Sequence, residues 1–490
     1  MRQFVVLLAF LVFCSFTSIA QDTKTSYQVE SFSSFSTGEN TPFWMLYHNW
    51  GMVPLAANNF YLRGGVFHKQ ALNKDWSFRL GLDVAGSSPH AYSTVWIQQA
   101  YGELNWKGFR MDVGAKENYW SLLDPNISAG DFCFSNNARP IPEVRVSIQE
   151  FVSVPYTKER LYIKGDFAIG KYFDCDYLER AADPYKMPYL KDVLSHHKSI
   201  FFRLGNYEKG NRWCFTYGLA HHAQWGGTLY NMSEEEPVIH LPKKMPEFFR
   251  VLIAKEGGSE ALEGDRINVA GSHWGSHTFK LDYKLNKENE ISLYLHRFFE
   301  DGSSMSIIQS PRDMMLGAQY KGNQKSLLSN ILFEYIYTKQ QSGPIHFLYP
   351  QYPDYNGNDN YYHNYSYIQG PSYFGRTQGT PLFLSPEYNE DGRLNFKSSR
   401  IISFHLGAEG CFSPNLSYQL LATTGQTWGR YYIPYASVKK GFASNLDLIY
   451  KPSGIHGLDI KLSMGFNQGS FFEEDAFGMG ITITKHGIIK

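Results

Sequence analysis

The chain has little cysteine, no net charge and, after its first twenty residues, no long apolar run. Each shortage excludes a class of protein. Five cysteines in 490 residues, at positions 14, 133, 175, 214 and 411, are too few for a disulfide framework, and there is no CxxC pair or zinc-like spacing. Cys133, Cys175, Cys214 and Cys411 read as small apolar side chains in strands and loops, with bridges among them left open. The 46 basic side chains match the 46 acidic ones, so no global field draws the chain to nucleic acid. Nothing beyond Phe16 approaches the ~20 apolar residues of a spanning helix, which excludes helical membrane insertion. Catalytic signatures are absent too: no Gly-x-Ser-x-Gly, no His-Glu-x-x-His and no phosphate loop. Paired carboxylates such as Glu473-Glu474 read as solvated charge. No enzyme and no cofactor are expected.

The apolar run that does exist, Phe4 to Phe16, follows Arg2 and precedes Ser18-Ile19-Ala20 and the polar Gln21-Asp22. That is the pattern of a secretory signal peptide over residues 1–20, with 21–490 as one exported domain. Phe13 before Cys14 is too bulky for a usual lipidation site.

What is present is aromatic and alternating. Aromatics make up 16% and charged residues only 19%, the reverse of a disordered chain. Trp76, Phe78, Leu80, Leu82 and Val84 alternate with Ser77, Arg79, Gly81 and Asp83. Leu458, Ile460, Leu462, Met464 and Phe466 repeat the pattern near the end of the sequence. About eighteen such strands can be placed from residue 27 to residue 485. Helical periodicity is scarce, and its best candidate is Tyr185 to His197, a short stretch inside a loop. Tight turns such as Lys107-Gly108 and Asn286-Lys287-Glu288 alternate with long connections at 37–58, 119–142, 174–197, 221–269, 301–313, 340–395 and 429–440. Short and long in alternation predict an all-β fold: an antiparallel transmembrane β-barrel of about 18 strands, with short periplasmic turns and long extracellular loops. Its partners are then outer-membrane lipid and whatever the loops bind. A soluble sandwich shows the same alternation, but charge on the polar face, strand number and aromatic load favour the barrel. The sequence ends Gly487-Ile488-Ile489-Lys490, without the terminal aromatic that often closes such barrels.

The most unusual stretch is the connection 119–142, which contains Ser135-Asn136-Asn137-Ala138-Arg139-Pro140-Ile141-Pro142. With Asn118-Tyr119-Trp120, Thr41-Pro42-Phe43-Trp44 and His221-His222-Ala223-Gln224-Trp225-Gly226-Gly227, it resembles the Wzi-type capsule assembly proteins of Gram-negative outer membranes. The resemblance runs in order over nearly the whole mature chain. It implies an eighteen-stranded outer-membrane barrel acting as a surface lectin that attaches exported capsular or surface polysaccharide to the cell, and a monomer is expected. Enterobacterial members carry a periplasmic helical bundle, and no such bundle is read between Gln21 and the first strand.

Sugars are held by aromatic faces and by amides, carboxylates and arginines. The candidate glycan-binding residues are Trp120, Asn136, Asn137, Arg139, Trp225, Tyr355, Tyr361, Tyr362 and Arg376. For Asn136, Asn137 and Arg139 an equal alternative is that the loop folds inward and its amides hydrogen-bond protein backbone. Loop tyrosines can likewise pack on the rim, and Trp225 can be a packed indole at a turn. Metal is not expected: His273 and His277 would sit roughly 13 Å apart along one strand face. Asp354 to Asp359 lacks the glycine and distal glutamate of a calcium loop. The rival functions are a channel for a polar or sugar-like solute, with an open lumen, and a surface hydrolase, with a catalytic constellation at the rim.

Overall fold

The structure, a computed structural model, describes residues 23–89, 93–300, 313–341 and 360–489. The signal-peptide expectation lies outside them. The first strands are β1 (Thr23–Ser36), β2 (Asn59–Ala71), β3 (Trp76–Ser88), β4 (Val95–Trp106), β5 (Phe109–Ala115) and β6 (Glu143–Ser153). They continue as β7 (Leu161–Lys171), β8 (Leu194–Leu204), β9 (Trp213–Trp225), β10 (Ser272–Lys284), β11 (Glu290–Phe299) and β12 (Met314–Lys321). The last six are β13 (Asn330–Tyr337), β14 (Ile401–Ser413), β15 (Leu416–Gly429), β16 (Pro434–Tyr450), β17 (Leu458–Gln468) and β18 (Ala476–Ile489). Every neighbouring pair is antiparallel, and β1 pairs with both β2 and β18. The sheet is a closed barrel of eighteen strands.

Period-two patterning decides which face looks where. Leu62, Leu82, Ile97, Val113, Val146, Leu293, Phe404 and Ile481 are exposed on the outside. Their neighbours Arg63, Asp83, Asp112, Arg145, Ser292, His405 and Thr482 are buried within. An apolar circumference around a polar lumen is the architecture of outer-membrane barrels. Near the short turns, exposed aromatics form part of a girdle: Trp76 stacks on Trp106 at 5.7 Å, and Trp213 meets Tyr283 at 4.1 Å. Both described ends of the barrel lie at this short-turn end.

The long connections converge on the other end, and three of them descend into the lumen. Residues 37–58 carry helix α1 (Phe43–Leu46), whose four side chains are all buried. It hangs from the inner wall by Phe43 N–H to Asn467 Oδ1 (3.1 Å) and Trp44 Nε1–H to Thr423 Oγ1 (3.0 Å). Residues 116–142 are pinned by Glu334, which accepts from Ser128 Oγ (2.7 Å), Ala129 N–H (2.6 Å) and Tyr294. Trp274 Nε1–H on the wall donates to Cys133 O (3.1 Å). Residues 360–400 complete the plug, with Tyr361, Tyr362, Leu382, Phe383 and Phe396 in one core with Phe132, Phe298 and Ile336. The four cysteines among the described residues, Cys133, Cys175, Cys214 and Cys411, are free thiols.

Two expectations need correction. The helix expected at 185–197 forms earlier, as α2 (Cys175–Ala182). Pro184 and Pro188 lack the N–H that would continue it, and Tyr189–Lys191 and β8 are strand. The connection expected at 429–440 is only 430–433, because β16 begins at Pro434 and pairs back to Gly429.

Candidate functional site

Loop 116–142 is built to be buried. Asn137 is fully enclosed: its amide donates to Ser135 Oγ (2.6 Å) and Gly379 O (2.8 Å), and its Oδ1 accepts from His48 N–H (3.0 Å). One side chain thus ties all three plug segments together. Asn136 is also buried and donates to Pro125 O (3.0 Å). Trp120 lies between His197 (4.5 Å) and Phe134 (5.0 Å) as a near-parallel stack. Of the candidate residues in this loop only Arg139 stays partly exposed, donating to Ile97 O (2.7 Å) over the Phe374 ring (4.5 Å).

Of the other described candidates, three lie in the plug and one on the outer wall. Tyr361 donates to Asp313 Oδ2 (2.8 Å), and Tyr362 donates to Phe132 O; both are buried. Arg376 forks onto Glu387 (3.0 and 2.7 Å) and donates to Val53 O (2.9 Å). Trp225 sits on the outer wall, packed 5.5 Å from Phe248. Tyr355 and the Asp354–Asp359 stretch lie outside the described residues. The structure therefore gathers Trp120, Asn136, Asn137, Tyr361, Tyr362 and Arg376 into the plug, and seven of the eight described candidates are buried.

Solvent-facing chemistry gathers instead in a groove of about 520 Å³ at the long-loop rim. Asn360, Asn364, Tyr365, Arg393, Arg430 and Tyr432 line it, over Met187 and Met232. Tyr365 and Tyr432 are 76% and 65% exposed, so both rings are open to solvent at one groove. The two loops carrying them are braced: Asn364 Oδ1 accepts from Ser366 N–H (2.9 Å) and Tyr367 N–H (3.1 Å), and Asn360 Oδ1 of one loop accepts from Tyr431 N–H of the other (3.2 Å). Arg393 meets Asp391 at 3.2 Å, but both ends are more than half exposed. Arg430 has no carboxylate partner among the described residues. Partial burial, and then the neighbouring Arg393, hold it below its ordinary range. Burial, with a contribution from Arg430, pushes His363 beside the groove down to about 4. Two arginines line this groove, and only Arg393 pairs with a carboxylate among the described residues, a charge balance that can accommodate an anion. Sequence reading missed Arg393, Arg430 and Tyr432; the signal was the Arg430-Tyr431-Tyr432 triplet at a hairpin tip.

A second cavity, of about 220 Å³, lies in the lumen between the plug and polar wall residues including Asn445, Asp447 and Lys461. It is smaller than the usual ligand pocket. Among the described residues no group of three His, Cys, Asp or Glu side chains is placed to hold a metal.

No protein-family model matches the sequence, and no curated protein matches it. Among solved structures the chain is similar to Wzi of Escherichia coli, an outer membrane protein involved in group 1 capsule assembly and described as a carbohydrate-binding β-barrel. The identity is 12%, the TM-score 0.57, and the match covers 94% of this chain and 84% of that one. It is also similar to OccK3 (OpdO) of Pseudomonas aeruginosa, at 10% identity and TM-score 0.50, over 98% of this chain and 100% of that one. At such identities the likeness shows the fold, an outer-membrane β-barrel.

Proposed function

We propose that this barrel is a Wzi-type surface lectin that holds an exported polysaccharide on the cell. It sits as a monomer in the outer membrane with its long-loop end outward. The rim groove carries this reading: two exposed tyrosine faces suit the C–H patches of sugar rings, asparagines suit hydroxyls, and Arg430 suits a carboxylate. The ligand class is then an acidic polysaccharide, bound without chemistry. Within the anticipated site, Arg139 and Tyr355 are assigned to ligand contact, Tyr355 as the residue five before Asn360 in the same connection. Trp120, Asn136, Asn137, Tyr361, Tyr362 and Arg376 act by fixing the loops that present the groove, and Trp225 by fixing the loop beside it.

A channel is the second reading, favoured by the charged inner wall: Arg63 meets Asp83 at 2.5 Å, and Arg145 meets Glu143 at 2.7 Å. It requires the plug to move aside. The test compares Arg430→Ala and Tyr432→Ala with wild type, quantifying surface polysaccharide on cells and in medium. A shift to the medium at unchanged total supports attachment at this groove. An unchanged partition, with both variants at wild-type abundance, refutes it.

A further inference from the structure

The outer wall breaks its own pattern in one place. On β7, Phe167 and Ile169 are exposed outward, as lipid-facing positions are, and so are Val146 and Val144 beside them on β6. The register puts Lys198 and His196 of β8 opposite Phe167 and Ile169. On β9 and β10 the series continues with His221 and His273, hydrogen-bonded to each other at 2.9 Å. Polar side chains on the lipid face are costly. These are covered.

The cover is helix α3 (Met245–Leu252), from the connection 226–271, folded back along the outside of the barrel. Phe248 lies 5.9 Å from His196, edge to face, and 5.5 Å from Trp225. Phe248 and Val251 share a core with Ala223, Trp225 and Ala270. Lys198 Nζ donates to Leu252 O, which fixes the helix end at a position roughly 13 Å along β8 from its rim end at Leu194.

The helix is apolar on its other side too. Met245, Phe249 and Ile253 are 64%, 57% and 69% exposed, and their i, i+4, i+8 spacing puts them in one stripe facing away from the barrel. Ile267, in the following helix α4 (Glu263–Ile267), is exposed as well. This stripe stands level with the lipid-facing pairs of β6 and β7, so it continues the apolar belt outward over the polar patch. We propose that α3 is a membrane-seated helix, with Met245, Phe249 and Ile253 entering the lipid layer at the long-loop edge of the belt. Charge does not drive the seating: between residues 243 and 268 five basic side chains are matched by five acidic ones. The lipid contact is made by apolar burial.

The test places Phe249→Cys and Ile253→Cys separately in a full-length background whose two partly exposed thiols are Cys175→Ser and Cys411→Ser. Each barrel is labelled with a thiol-reactive fluorophore and reconstituted in phosphatidylcholine vesicles. Val146→Cys reports the belt, and Glu235→Cys reports an exposed loop. Quenching is measured with a nitroxide phosphatidylcholine in the bilayer and with iodide in the water. The proposal expects lipid quenching at 249 and 253 of at least half that at 146, and iodide quenching several-fold below that at 235. Iodide quenching equal to that at 235, without lipid quenching, overturns it. So does cross-linking between copies through either cysteine, which would assign the stripe to a second molecule. Two labelled positions keep the test decisive when one variant fails to fold.

Discussion

Arg376→Ala should release the plug while leaving the barrel standing. The guanidinium side chain is 2% exposed and forks onto Glu387, itself 10% exposed, while its third contact ties residues 360–400 to Val53 in the first plug segment. Removing it strands a buried carboxylate, at a cost of about 3–5 kcal/mol, and leaves a buried carbonyl unmet, at roughly 1 kcal/mol more. None of this touches the eighteen-strand ladder, so the loss falls on local opening. A cost of about 4 kcal/mol corresponds to roughly a thousandfold in an opening equilibrium. Amide hydrogen exchange in detergent should therefore show protection falling by about that factor in 372–400 and 41–57, with the β1–β18 ladder unchanged. The double variant Arg376→Met/Glu387→Leu should recover most of the protection, because the penalty is that of an unpaired charge. Protection within roughly tenfold of wild type in Arg376→Ala would refute the reasoning. So would a double variant no better than the single one.

Deleting residues 120–138 and joining the ends with a glycine-rich turn should produce stepwise ion conductance in planar bilayers where the intact protein gives none; silence from a folded deletion variant would remove that segment as the seal. Gly379→Ala puts a Cβ into Tyr362 Oη and 2.5 Å from Phe132 O, so the plug must shift. A loss of about 1–3 kcal/mol or more in local stability, read by proteolysis at the plug loops, is expected. For pH, burial raises Asp174 to about 7 and Asp265 to about 6, so these groups hold protons in the fold that the unfolded loops release. Connections 172–193 and 226–271 should accordingly gain protection as pH falls from 7 toward 4. His48, lowered to about 4 by burial, works in the opposite direction. The segment 37–58 should lose protection as pH falls from 6.5 toward 4. Exchange corrected for intrinsic rates checks both signs, and parallel behaviour of the loops would contradict them.

The strands were legible because a barrel wall imposes the same two-faced test on every residue. Leu80, Leu82 and Val84 against Arg79 and Asp83 say strand with no help from the rest of the chain. The loops obey no such local rule. Asn136 and Asn137 have the residue types of a sugar site and of an internal hydrogen-bond hub alike. Only the position of Ser135, His48 and Gly379 around Asn137 decides for the hub. The tyrosine-rich connection is ambiguous in the same way, since Tyr361 and Tyr362 point into the plug while Tyr365, three residues on, faces solvent. Met245-Pro-Glu-Phe-Phe-Arg-Val-Leu252 was hard to read as a helix because it is only eight residues long, barely two turns, with Pro246 near its start. The resemblance fared as its evidence did. It named the right architecture, while family membership rests on the reading proposed above.

The hairpin β15–β16 has a mechanical consequence. Its tip carries Arg430 and Tyr432, and its register runs unbroken from Leu416↔Tyr450 to Thr427↔Lys439. A pull on anything held at that tip acts along the strands. It is shared among many ladder bonds at once, where a pull across a sheet edge would peel them singly. Closure of β1 on β18 leaves no edge at which peeling could start. A tether anchored here should yield first at the groove, by ligand release, with the barrel intact and ready to rebind.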